Sequence, residues 1–356
     1  MKEYELERHN PFTLSFGKKP FEYIGRDDIK NELISQIQSE PMVSNCFVIT
    51  GVRGSGKTVM LTAVSKHFEA EKDWIVIDLN PEDDLREGLA AKLYTAAKVK
   101  RLFIEKNFSV SFHGFSFSLS GKNPVPNIED LLLIMLEEIK KQGKKVLITI
   151  DEASKNNYMK QFALSFQSLI RKEIPIVLLV TSLYENISAL ENEKNMTFLI
   201  RSPKIFLSPL SLQAIVNSYE SNLGIEYPEA LKCAKLTKGY AFAFQLLGYL
   251  MFAKNKKEAD KEILSSYDQH LDEYVYAKIW STLSETERKI VMSFQTNSSI
   301  SVSTILERTG MKKEYFSRYR DRLIKKGILI SPTRGKLMFN LPRFKEFIDA
   351  ETAYDY

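Results

Sequence analysis

Gly51-Val52-Arg53-Gly54-Ser55-Gly56-Lys57-Thr58 matches the pattern G-x-x-x-x-G-K-[ST] at every fixed position. The glycines permit the tight turn that points successive backbone N–H groups at an anion. Lys57 adds a compact positive charge for the same phosphate oxygens, and the Thr58 hydroxyl can ligate Mg²⁺. The flanks agree with this reading. Cys46-Phe47-Val48-Ile49-Thr50 reads as a buried strand, and Val59 to Glu69 carries helical spacing. Strand, glycine loop and helix in that order lay an anion on a helix N-terminus. Residues 51–59 are therefore the expected nucleotide-binding residues, with Lys57 also acting on the transferred phosphate.

A second motif completes the first. Val146 to Ile150 is an apolar run that ends on Asp151-Glu152. This places two carboxylates at the C-terminal end of a central strand, where α/β sheets bind ligands. Asp151 is expected to hold Mg²⁺ through water, and Glu152 to polarise the water that attacks a γ-phosphate. A carboxylate beyond the one needed for the metal favours hydrolysis over mere binding. ATP and Mg²⁺ are the expected ligands.

The remaining pattern sets the fold class. Further strands are expected at Trp74–Leu79, Ile174–Thr181 and Lys204–Leu207. Helices are expected at about 28–38, 84–101, 128–140 and 158–171. Strands alternating with helices at this rhythm predict an α/β fold, a parallel sheet with helices on both faces. Residues 209 to about 275 are helical by pattern. The expected organisation is an extended lead-in at 1–20, a nucleotide-binding core at 21–208, a helical lid at 209–280, a winged helix-turn-helix at 281–345 and a tail at 346–356. Within the core, Phe108–Phe112 and Phe115–Leu119 alternate strictly about His113-Gly114, a β-hairpin signature. Its Phe/Val face requires cover, either from the body of the protein or from a neighbouring molecule.

Composition narrows the class. With 44% hydrophobic and 27% charged residues in 356, the chain reads as a globular protein of two or three domains. The charged N-terminus shows no secretory h-region and no apolar run reaches a bilayer span, so a cytoplasmic protein with no membrane partner is expected. Cys46 and Cys233 are too few for a disulfide framework and read as small buried residues.

Charge is unevenly placed. Residues 311–336 hold nine Lys or Arg against two acidic residues, an excess of +7 in a chain whose total is +5. The rest of the chain is therefore slightly acidic, and the surplus points that segment at a polyanion. Ser284 with Glu287 is a capping box, Ser301 to Arg308 a second helix, and Lys312 to Lys326 a third. Ile328–Ser331, the Pro332–Gly335 turn and Lys336–Leu341 then form a wing. Lys312, Lys313, Ser317, Arg318, Arg322 and Lys325 on the third helix, with Arg334 and Lys336 on the wing, suit contact with duplex DNA. Winged helices also dock proteins, so a protein partner is the alternative.

The order of glycine loop, Asp-Glu strand, polar-ended strand, helical lid and winged helix resembles the AAA+ ATPases, specifically their origin-recognition and initiator-like branch. The similarity runs from about residue 10 to 345. It implies that Phe21–Arg26 (FEYIGR), with Ile24 and Gly25, borders the adenine pocket. It also implies that Thr181 senses the γ-phosphate, the alternative being a hydroxyl that satisfies a turn. Arg201 falls where the family places an arginine finger acting on a neighbour's site, which implies a homo-oligomer formed on ATP or DNA; a solvated arginine is the alternative. The chain departs from the family at Lys238–Gln245 (KGYAFAFQ), where no lid arginine appears. Slow hydrolysis is expected in consequence, and a signalling-type switch is the second reading.

Overall fold

Residues 27–206 without the glycine loop thread helices and strands in near-strict alternation, beginning α1 (Asp27–Gln38), β1 (Cys46–Thr50), α2 (Lys57–Ala70) and β2 (Trp74–Leu79). They continue with α3 (Leu85–Thr95), α4 (Lys100–Glu105), the short strands β3 (Phe108–Val110) and β4 (Phe117–Leu119), α5 (Ile128–Lys141) and β5 (Lys145–Ile150). Next come α6 (Asn157–Arg171), β6 (Ile176–Ser182), α7 (Tyr184–Glu191), α8 (Phe198–Arg201) and β7 (Lys204–Phe206). This computed structural model describes residues 9–15, 21–105, 108–110, 117–119, 127–194 and 196–353.

Five strands form one parallel sheet in the order β2-β5-β6-β1-β7. Every residue of β1 and β6 is buried, as continuous apolar runs covered on both faces require. On one face Leu89, Leu93, Leu132, Met135, Leu136 and Phe162 close over the strands. The register decides the chemistry that follows. Ile150 lies opposite Val180, and Ile49 opposite Thr181, so the C-terminal ends of β1, β5 and β6 finish side by side.

Some expectations shift. The helix expected over 84–101 breaks at Ala96, whose extended backbone separates α3 from α4. Between β6 and β7 the chain forms α7 and α8, too short to show a periodicity in sequence. β3 and β4 pair antiparallel with Phe108 opposite Leu119. The turn expected at His113-Gly114, and the side chains of both strands, lie outside the described residues.

A second compact unit contains the glycine loop Gly51–Gly56, the described residues before Asp27, and the chain from Leu207 onward. Its helices are α9 (Leu212–Leu223), α10 (Tyr227–Thr237), α11 (Ala241–Ala253) and α12 (Lys261–Leu271), which passes through a π-helical turn at Asp272–Tyr276 into α13 (Ala277–Ser281). α14 (Glu285–Met292), β8 (Ile300–Ser301), α15 (Val302–Thr309), α16 (Lys313–Lys325), β9 (Leu329–Ile330), β10 (Lys336–Phe339) and α17 (Phe344–Thr352) follow. Ser284 forms the expected capping box with Glu287 at the head of α14, and Gly310 ends α15 in the left-handed conformation. The three short strands make a sheet of order β8-β10-β9.

One apolar core runs through this unit. It includes Tyr219, Phe244, Tyr267, Tyr276, Phe339 and Phe344, so the segments expected as lid and winged helix share it. Phe12 reaches this core from the lead-in and packs against Gly248 of α11, where a Cβ would come within 2.6 Å of its ring. The expected tail is instead largely α17, anchored by Phe344, Phe347 and Ile348. Among the described residues no helix is long and apolar enough to cross a membrane.

Candidate functional site

Register brings the acidic pair and its supports together. Asp151 leaves the end of β5 beside Thr181 at the end of β6. The Thr58 hydroxyl, on the first turn of α2, donates to Asp151 Oδ2 at 2.8 Å. The Thr181 hydroxyl donates to Asp151 Oδ1 and accepts from the Glu152 backbone N–H at 2.9 Å. One buried hydroxyl thus fixes both members of the pair. Behind it, the Ala153 N–H donates to the Thr181 carbonyl at 2.8 Å and the Ser182 hydroxyl to the Ala153 carbonyl at 2.5 Å. Glu152 takes a positive φ of 54°, unusual for a residue with a side chain, and is held there by this brace. Lys57, at the head of α2, is buried.

Thr181 is fully buried, and the structure places its hydroxyl on the carboxylate pair rather than open to solvent. The sequence marks it as the expected γ-phosphate sensor; in the structure its hydroxyl bonds Asp151 and the Glu152 N–H.

The residues suited to Mg²⁺ are Thr58 and Asp151. Their hydroxyl and carboxylate already meet, and among the described residues no cluster of three or more His, Cys, Asp or Glu could hold a metal by itself. A hard cation that keeps waters and takes its remaining ligands from phosphate fits such a sparse donor set.

The glycine loop has a built environment of its own. Gly54 and Gly56 take φ values of +76° and +95°, which side chains resist. The Ser55 N–H closes a turn on the Val52 carbonyl at 3.2 Å, and the buried Ser55 hydroxyl has no hydrogen-bond partner among the described residues. An orphaned hydroxyl inside a loop of this pattern suits a polar ligand. Arg26, from the Phe21–Arg26 box, lies against Gly56 and donates from Nε to the Ser208 carbonyl at 2.7 Å; burial lowers its pKa. Ile24 packs on the core of its unit. Val52 is buried against Gly327, at the end of α16.

Sequence reasoning missed the tightest partner of this loop. Tyr240, the residue before α11, donates its hydroxyl to the Arg53 carbonyl, and the Phe242 N–H donates to the Gly54 carbonyl at 3.1 Å. A Cβ on Gly54 would come within 2.3 Å of the Tyr240 oxygen. Burial pushes the Tyr240 phenol well up, so it remains a donor at any physiological pH.

Arg201 ends α8 and is exposed. It lines a surface cleft with Ser44, Asn45, Arg171 and Phe198. Those residues border the start of β1, whereas Asp151 follows the end of β5. Parallel strands put these at opposite ends of the sheet, ~16 Å apart for five residues at the usual rise. Arg201 therefore does not join the acidic pair of its own chain.

On α16, Phe316 and Leu323 are buried, while Lys312, Lys313, Arg318, Arg322 and Lys325 are exposed, as are Arg334 and Lys336 beyond it. Ser317 is half-buried and donates to the Lys313 carbonyl at 2.9 Å. Lys326, one of the nine basic residues in this segment, is a correction to the count. It is buried and paired with Glu287 at 3.0 Å, so its charge does not reach the surface. Arg320 pairs with Asp321 at 2.7 Å. Cys46 and Cys233 are free and buried, and burial pushes both thiols up to about 12.

Comparison with solved structures sets this geometry in context. The ORC2 protein of Aeropyrum pernix, solved as ADPNP–ADP complexes, superposes with a TM-score of 0.51 at 14% identity, covering 92% of each chain. At this identity the likeness shows a shared fold. Similar in extent, though with lower TM-scores, are Cdc6p of Pyrobaculum aerophilum and the Aeropyrum pernix ORC1 protein in complex with DNA. Cdc6p gives 0.49 at 13% identity over 96% of this chain and 97% of that one. ORC1 gives 0.46 at 13% identity over 96% of both. Residues 273–348 match a domain of unknown function, DUF8462. No curated protein matches the sequence.

Proposed function

We propose that this chain binds and slowly hydrolyses ATP and, depending on the nucleotide held, assembles on duplex DNA through its C-terminal helices and sheet, read as a winged helix. The observation that carries the nucleotide half is the Thr58–Asp151–Thr181–Glu152 network at the ends of β5 and β6, whose first member, Thr58, closes the glycine-loop pattern in sequence. The loop N–H groups and Lys57 would hold the phosphates. Thr58 and Asp151 would hold Mg²⁺, which when bound neutralises phosphate charge. Glu152 would orient and deprotonate the attacking water, its backbone fixed by Thr181. Arg201, remote from its own acidic pair, suits action on the site of another copy. A protein that shares this fold, solved with ADPNP and ADP, supports the nucleotide half.

The DNA half rests on the exposed cations of α16 and the β9–β10 turn. The +7 excess shrinks to +6 once Lys326 is neutralised internally, and most of it stays accessible. The test is fluorescence anisotropy of a mixed-sequence duplex, with ATP and with ADP, at low and moderate salt. Binding that depends on ATP and weakens steeply with salt is expected. No binding under any of these conditions would sink the DNA reading.

One contact favours a second reading, a signalling-type switch with a protein partner. The end of α16 lies directly on the glycine loop, with Gly327 against Val52, so a change in the loop is felt by the C-terminal elements without DNA.

A further inference from the structure

The lid helix of this chain begins without the arginine expected there, yet its first residues hold the glycine loop by hydrogen bonds. We propose that Tyr240 is a positioning residue for phosphate binding, orienting the peptide planes of the glycine loop through the Arg53 carbonyl. The inference rests on the nucleotide reading above and says which group ties the lid to that site.

The geometry is that of a trans peptide, in which C=O and N–H point in opposite directions. The Tyr240 hydroxyl fixes the Arg53 carbonyl and so aims the Gly54 N–H away from the lid. The Phe242 N–H does the same for the next plane, through the Gly54 carbonyl at 3.1 Å. Two consecutive planes are thus set from their carbonyl side; the N–H of the first, that of Gly54, is left for another partner, and that of the second, the Ser55 N–H, is held in the turn on the Val52 carbonyl at 3.2 Å. A nest of N–H groups binds anions only when successive planes are oriented together, and a loop of glycines has little orienting force of its own.

Three further observations fit this role. Phe242 N–H belongs to the first turn of a 13-residue helix, where backbone donors have no acceptor within the helix, and it is given to the loop instead. Gly54 is an unconstrained position of the pattern, yet here a Cβ would meet Tyr240 Oη at 2.3 Å and Phe242 Cβ at 3.0 Å. Tyr240 is itself fixed: its N–H donates to the Thr237 carbonyl at 2.9 Å, and the preceding Gly239 carbonyl accepts from Leu210 N–H at 2.8 Å. The hydroxyl is therefore delivered from a rigid base.

Tyr240→Phe removes one oxygen and keeps the ring. Titration of the full chain with mant-ADP is expected to show affinity weakened by about fivefold to thirtyfold, the loss of one buried hydrogen bond. The loss should appear as faster mant-ADP dissociation, while the melting midpoint without nucleotide falls by no more than a few degrees. A merely structural tyrosine would lower that midpoint and leave the dissociation rate unmoved. Gly54→Ala displaces the same hydroxyl from the other side. Combined with Tyr240→Phe it should cost less than the product of the single effects, since both break one contact.

Unchanged or tighter mant-ADP binding by Tyr240→Phe, against a wild type that binds, would overturn the inference alone; tighter binding would make the contact a latch against nucleotide. A folded wild type that binds no mant-ADP would overturn the nucleotide reading and this inference with it.

Discussion

The acidic end of the sheet and the basic face of α16 are built in opposite ways. Asp151 and Glu152 are cross-braced: one buried hydroxyl bonds both, a second bonds the first, and the backbone of Glu152 is held in a conformation it would not choose. Arg318, Lys325 and Lys313 stand in solvent on a helix whose opposite side is packed. A carboxylate that must act on one water needs its place fixed to fractions of an ångström. A cation that meets a phosphate backbone needs only to be present and free to move. Substitutions should therefore act sharply and singly in the first region, and weakly and cumulatively in the second.

Lys57→Ala gives the widest separation. Nucleotide affinity should fall by about a hundredfold or more, as for removal of one partner of a desolvated charge pair, with the fold retained by circular dichroism. Glu152→Gln comes next. Turnover should fall by about a hundredfold to ten-thousandfold while ATP binding persists, so ATP accumulates on the protein in a filter assay.

Thr181→Val tests the brace itself. It should slow turnover and cost about 1–3 kcal/mol in urea unfolding, because it leaves a half-buried carboxylate oxygen and the Glu152 N–H without their partner. A variant with full turnover would show that the pair needs no support. Arg318→Ala should have the smallest effect: a few-fold loss in duplex affinity, with the slope of log affinity against log salt reduced by about one. A loss as abrupt as that of Glu152→Gln would break the contrast and make α16 a reader of base edges.

Sequence patterning was enough to place the glycine loop, the Asp-Glu strand end and the parallel sheet, because each is local: a run of apolar residues, then a chemical group at a fixed offset. Thr181 was legible as a position but not as a role, since its partners lie one strand away and only the β5–β6 register joins them. Tyr240 carried no signal, being separated from Arg53 by 187 residues and matching no spacing rule. Lys326 could have been read better. It falls three residues after the buried Leu323 and ten after Phe316, at the C-terminal cap of α16 on its inward side, where a lysine requires a buried acid such as Glu287. The capping box gave Glu287 a complete local role and hid its longer-range one. α7, α8 and the break at Ala96 escaped because four to eight residues are too few to define a period.

The proposed action of Arg201 on another copy, from the far end of its own sheet, has an arithmetical consequence. A catalytic arginine borrowed from another copy makes turnover a count of junctions rather than of molecules. Isolated chains have no junctions, an open row has one fewer than its members, and only a closed ring has as many. Rate per chain would then climb with dilution reversed, and the plateau it reached would report whether the assembly closes.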